Sequence, residues 1–193
     1  GPDVTPPQIM DTNIRNNQPV QFGVDNLSII TYTNEPATCK WSHSDEDYRK
    51  MGNNMTCALN INEMSANMLY ACEGTLTGIK DRKDNDFYFR CQDQPWKAAA
   101  DRITMSQSYK LTLKGTQPLN IDKDSIKPSN STITGATSTI NVTLELKTQN
   151  GFKDGEAVCY YSIGNEDNYI EFSNTNSDTH MQRQDLTSGT YTY

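Results

Sequence analysis

The chain has no run approaching the ~20 consecutive apolar residues that a bilayer-spanning helix needs. Only 34% of its 193 residues are hydrophobic. That excludes a membrane span in this stretch, and it is too little apolar material for a helical bundle. There are only two histidines, His43 and His180, and none of the five cysteines forms the C-x-x-C pairs of zinc sites. A nucleophile elbow, a glycine-rich phosphate cradle and a paired-histidine metal motif are all missing. Ser42, His43, Ser44 and Asp45 supply the residue types of a catalytic triad, but as sequence neighbours, which rarely fold into one. We expect no catalytic residue, no cofactor and no enzyme activity. A formal net charge of -7 leaves no surplus of Lys and Arg for phosphate, so nucleic acid is not an expected partner.

What is present is a repeat. Pro36-Ala37-Thr38-Cys39-Lys40-Trp41-Ser42 is echoed by Glu156-Ala157-Val158-Cys159-Tyr160-Tyr161-Ser162. Acidic stretches follow both copies, Asp45-Glu46-Asp47-Tyr48 and Asn165-Glu166-Asp167-Asn168-Tyr169. The first copy runs on to Phe87-Tyr88-Phe89-Arg90-Cys91-Gln92-Asp93, the second to Tyr191-Thr192-Tyr193. Laying Tyr191 on Phe87 and Tyr193 on Phe89 puts the counterpart of Cys91 two residues past the last residue. A repeated unit is a folding module, so the chain reads as an excerpt from a longer array. Gly1-Pro2 reads as a processing scar.

Four cysteines, Cys39, Cys57, Cys72 and Cys91, fall within the first module. An even set in one small polar module implies two disulfides and an oxidising compartment, hence an extracellular or cell-surface location. Four cysteines allow three connectivities, and the spacing alone leaves all three open. Cys159 is the odd one: its partner is expected beyond Tyr193, the alternative being a free thiol that links chains or an open sandwich completed by a neighbour's strand.

Polar sequence with short alternating runs suits sheets that bury one face. Strands are expected at 8–15, 27–33, 38–42, 87–91 and 109–114. Further strands are expected at 119–126, 140–146, 158–162 and 169–172, with a last one opening at Leu186-Thr187-Ser188-Gly189-Thr190-Tyr191. Asn34-Glu35-Pro36 and Asn150-Gly151 carry turn chemistry. Residues 62–70 and 97–102 have room for a turn or two of helix.

The residues Asp3-Val4-Thr5-Pro6-Pro7, Thr33-Asn34-Glu35-Pro36-Ala37-Thr38 and Phe87-Tyr88-Phe89-Arg90-Cys91-Gln92-Asp93 resemble the fibronectin type III-like or Ig-like modules strung along prokaryotic surface proteins. Leu186, Gly189, Thr190 and Tyr191 are similar to the fibronectin-type approach to strand F. The resemblance implies an all-β chain of two tandem Ig-like or fibronectin III-like β-sandwiches. The first spans 3–116 with a disulfide-bearing insertion. The second spans 117–193 and lacks its last strand. It also implies that Cys39 on strand C meets Cys91 on strand F, leaving Cys57 for Cys72. Closing those loops stabilises by about 4 and about 3 kcal/mol. The implied function is that of a non-enzymatic stalk or adhesion module, with neighbouring modules in the same chain and a protein or glycan on a cell surface as partner.

An alternative is a glycan- or calcium-binding accessory module of a larger secreted enzyme or receptor. It would need Trp96 and the loop holding Asp81, Asp84 and Asp86, the weak calcium candidates, to converge on one patch. For Trp96 the plainer expectation is that it folds back to cap the sandwich end or packs at the module boundary. The sequons at Asn26, Asn54, Asn130 and Asn141 are no more than this composition produces by chance.

Overall fold

The computed structural model describes residues 4–151, 153–164 and 167–193. Gly1, Pro2 and Asp3, and the Asn165-Glu166 pair of the second acidic stretch, lie outside the described residues. The chain is all-β and divides into two compact units, Gly1–Gly115 and Thr116–Tyr193.

The first unit has nine strands: β1 (Ile9–Thr12), β2 (Gln18–Val20), β3 (Asn26–Thr33), β4 (Ala37–Ser42), β5 (Asn53–Asn54), β6 (Thr56–Cys57), β7 (Tyr70–Thr77), β8 (Asp84–Asp93) and β9 (Tyr109–Gly115). They form two sheets, ordered β1-β3-β7-β6 and β2-β9-β8-β4-β5. Strand alternation sends every second side chain inward. Ile29, Cys72 and Leu76 from one sheet thereby meet Cys39, Trp41, Phe87, Phe89, Cys91, Leu111 and Leu113 from the other in a single buried core. In the β4–β8 ladder, Cys39 stands opposite Cys91 and Trp41 opposite Phe89. The structure joins Cys39 to Cys91 and Cys57 to Cys72. Each bond ties neighbouring strands of its own sheet.

The second unit holds β10 (Asn120–Lys127), β11 (Ile140–Gln149), β12 (Tyr160–Tyr161), β13 (Ile170–Glu171) and β14 (Thr179–Leu186). Its main sheet, β10-β11-β14, has the antiparallel order of β1-β3-β7. Against it stands only the β12–β13 pair. Val142, Leu144, Phe172, Thr148 and His180 are buried here, while Leu119, Ile121, Val158, Tyr160 and Ile170 stay exposed.

Two expectations are corrected. The strand expected to open at Leu186 instead ends there: β14 occupies 179–186, and residues 187–193 belong to no ladder. The expected strand at 158–162 shrinks to Tyr160–Tyr161, having no long neighbour to extend its ladder. The chain end nevertheless lies beside β12. The Gly164 amide donates to the Thr192 carbonyl at 2.7 Å, and the Tyr193 ring stands 6.2 Å from that of Tyr161.

Candidate functional site: the apolar end of the first unit

Register decides which loops share an end of the first unit. Tyr70, the first residue of β7, pairs with Thr33, the last of β3. Ala37, the first of β4, pairs with Asp93, the last of β8. The turn 34–36 joins β3 to β4, so the loop leading into β7 (58–69) and the loop leaving β8 (94–104) emerge at the same end.

Both loops are held internally. The 58–69 loop is closed at its base by Cys57–Cys72 and by an amide bond from Ala58 to the Ala71 carbonyl. Inside it, a single 3-10 turn, Ile61–Glu63, is capped by Glu63, whose Oε2 accepts from the Asn60 and Leu59 amides at 3.0 Å each. Those backbone bonds, Asn60's first, hold the Glu63 carboxyl below its usual range. Further along, Ser65 and Leu69 bond each other twice, amide to carbonyl at 2.8 Å and amide to Oγ at 3.2 Å. The second loop is clamped by Asp93, whose buried carboxylate accepts from the Ile103 amide and from Gln94 Nε2. Arg102 adds bonds to Thr38 Oγ1 and to the Gln92 and Asp93 carbonyls.

On this fixed framework stand bare apolar side chains. Ile61 is 73% exposed, Met68 72% and Trp96 67%. Met68 (φ 59°) and Gln94 (φ 43°) occupy the left-handed region that non-glycine residues avoid, one in each loop. Strained backbone of this kind persists only where its surroundings over-determine it, and it gathers at recognition sites. Of the loop charges, Glu63 is engaged by its cap and Arg102 by its clamp, while Lys97 and Asp101 are exposed. The arrangement can offer a partner a pre-ordered apolar contact that loses little entropy on binding.

The sequence candidates fall elsewhere or change character. Trp96 does not fold back; it points into solvent. Asp81, Asp84 and Asp86 do not form a calcium site. Asp81 accepts from the Gly23 amide, Asp84 pairs with Lys114 Nζ at 2.7 Å, and Asp86 takes the Thr112 hydroxyl and Lys110 Nζ. Three carboxylates turned toward three different partners cannot supply one ion's oxygens. The Thr112 hydroxyl and then the Lys110 ammonium hold Asp86 below the ordinary carboxylate range. Nor do Trp96 and these aspartates converge. Ten-residue β8 lies between them, a rise of about 30 Å, so they occupy opposite ends of the unit.

Asp45 and Asp47 are drawn to Arg90 rather than to each other, at 3.2 and 3.5 Å. The Ser42 hydroxyl donates to Glu46, and His43 packs on the Trp41 and Phe87 rings, so no triad assembles. The sulfurs of Cys39, Cys57 and Cys72 lie within 4.8 Å of one another, but all three are tied up as disulfides and leave no thiolate for a metal. Among the described residues no other group of three His, Cys, Asp or Glu side chains is close enough to hold an ion. Cys159 is half-buried, and burial pushes its thiol pKa up.

Sequence reasoning missed the 58–69 loop. The sequence marks 62–70 only as room for a turn or two of helix and singles out none of Leu59, Ile61, Met64 and Met68. The usable signal was the pair of cysteines flanking them, which fixes the loop base and leaves its apolar tip no sheet to join. Among the described residues no helix is long and apolar enough to cross a membrane. No family model matches this chain, and no curated protein matches it either.

Proposed function

We propose that the chain is part of an extracellular, cell-surface modular protein whose two units are tandem Ig-like or fibronectin III-like modules, acting as stalk and adhesion elements. The first unit contacts a partner protein through its apolar end. The observation that carries this reading is the pair of internally braced loops presenting Ile61, Met68 and Trp96 to solvent. Exposed Met, Ile and Trp on a rigid frame are characteristic of protein-recognition surfaces. The shared order of β1-β3-β7 and β10-β11-β14 supports the tandem reading, and the two disulfides support an oxidising compartment.

The test compares the fluorescently labelled chain with an Ile61→Ser, Met68→Ser, Trp96→Ser variant on intact cells of the source organism. Saturable binding by the native chain, lost in a variant of unchanged melting temperature, is the expected result. Equal binding by both would sink the apolar-end contact, and no binding by the native chain would sink the adhesion role. Binding that free oligosaccharides compete away would transfer the reading to a glycan-binding module using Trp96.

A further inference from the structure

His180 is fully buried in the second unit, on β14 opposite Leu146 of β11. Both ring nitrogens are engaged. Nε2 stands 2.9 Å from Thr148 Oγ1 and Nδ1 2.7 Å from Thr175 Oγ1. The Thr148 hydroxyl donates to the Gly155 carbonyl, so toward His180 it accepts, which puts the ring proton on Nε2. Nδ1 is then the acceptor for Thr175. Thr175 Oγ1 in turn accepts from the Cys159 amide at 3.0 Å.

The result is one directed chain of hydrogen bonds, from the Cys159 amide through Thr175, the neutral imidazole and Thr148 to the Gly155 carbonyl. Gly155 is required there: its φ is +98°, and a Cβ would lie 2.3 Å from the Thr148 carbonyl oxygen. The Gly155 end of 155–159 is thus held by Thr148 of β11, its middle by the Ala157 amide donating to the Ser177 carbonyl at 3.0 Å, and its Cys159 end, through Thr175, by the neutral His180 of β14.

A proton on Nδ1 would break the direction of that chain. Thr175 would face two donors, the ring and the Cys159 amide, and its own hydroxyl would have to turn to the Ala157 carbonyl 3.4 Å away. The new charge would sit among the Thr148 hydroxyl of β11, the Phe172 ring and Thr175 after β13, and the Cys159 amide bonded to Thr175. Asp178, two residues before it, favours the charged form, but burial outweighs it and the pKa of His180 falls below its ordinary value.

We propose that His180 is an acid-sensitive clasp. Its protonation releases the Cys159 end of 155–159, where the β12–β13 hairpin begins, from β14 and uncovers the Cys159 thiol. The sign follows from linkage. A histidine whose folded pKa is depressed binds more protons when released, so closure is intact above pH ~6.5 and weakens as pH falls below it. With the native ring neutral throughout, opening at pH ~5 exceeds that at pH ~7.5 by at most about 30-fold.

The experiment follows Cys159 modification by a dithiodipyridine in the full chain, divided by the rate for glutathione in the same buffer. It is run in parallel on a His180→Gln variant, whose amide can donate and accept as the neutral ring does. The expected result is a normalised rate rising about threefold or more on acidification in the native chain and staying flat in the variant. A smaller rise, or an equal rise in both, overturns the clasp. If the variant fails to fold, NMR titration of the two native histidines decides. A His180 signal that stays neutral until the signals of 155–159 collapse supports the clasp, and free titration near pH ~6.5 with those signals intact overturns it.

Discussion

The two units start from the same three antiparallel strands and end with different interiors. In the first, β1-β3-β7 is faced by a five-stranded sheet, and the space between is filled by Trp41, Phe87, Phe89, Leu111 and Leu113. In the second, β10-β11-β14 is faced by a two-stranded pair, and among its described buried residues the polar Thr148 and His180 stand beside Val142, Leu144 and Phe172. A common sheet does not make a common core. What sets stability is the apolar area that the opposing layer removes from water. The first unit adds two disulfides, whereas the second holds itself together with a buried hydrogen-bond chain.

The sharpest break in that contrast should come from the disulfides. Replacing Cys39 and Cys91 by alanine should cost the first unit about 4 kcal/mol, and replacing Cys57 and Cys72 about 3 kcal/mol. Both tryptophans, Trp41 and Trp96, lie in the first unit, so their fluorescence during denaturant unfolding reads it alone. An equal shift in the loss of the amide NMR signals of β11 in the second unit would show that the two do not melt separately.

Next in size is the core itself. Leu111→Ala, fully buried against the opposing sheet, should cost about 3 kcal/mol, and Leu144→Ala in the thinner unit about 2 kcal/mol. Equal losses would erase the difference in packing.

Thr31→Val should stabilise the first unit by about 1 kcal/mol. The Thr31 hydroxyl is buried without a hydrogen-bond partner, and valine keeps its shape while removing the unpaired group. A loss of stability would reveal a partner for that hydroxyl.

Acid should separate the units most gently. The second weakens below pH ~6.5 through His180. The first keeps the contribution of Asp86, whose depressed pKa holds its ion pair until pH falls well under ~4. Thermal melts at pH ~5 should lower only the transition followed by the amide NMR signals of β11, and a matching fall in the tryptophan signal would contradict this.

Much of the first unit was legible because its signals are local. Cys39 and Trp41, and Phe87, Phe89 and Cys91, alternate as strands with one wet face must, and the ladder puts them where alternation points. β7 was harder to read. Its inward row runs Tyr70, Cys72, Gly74, Leu76, and the glycine interrupts the apolar pattern. That position has room for little else, since a Cβ would stand 3.2 Å from Met55 Cγ. β14 hid for a different reason: its row with His180 continues as Gln182 and Gln184, so no hydrophobic alternation marks it. The apolar end could not be found from sequence because exposure at Ile61, Met68 and Trp96 depends on which strands the loops connect. Composition treats an exposed methionine and a buried one alike.

The parallel pairing of β2 with β9, from Gln18↔Leu113 to Val20↔Gly115, has a mechanical consequence. These strands lie near opposite ends of the first unit's chain yet run side by side in the same direction. A pull applied at those ends therefore loads their ladder in shear, and its hydrogen bonds must fail together rather than unzip singly. Should they fail, the Cys39–Cys91 bond still bridges a sequence separation of 52 and withholds on the order of 170 Å of slack. The unit is built to yield late and lengthen little.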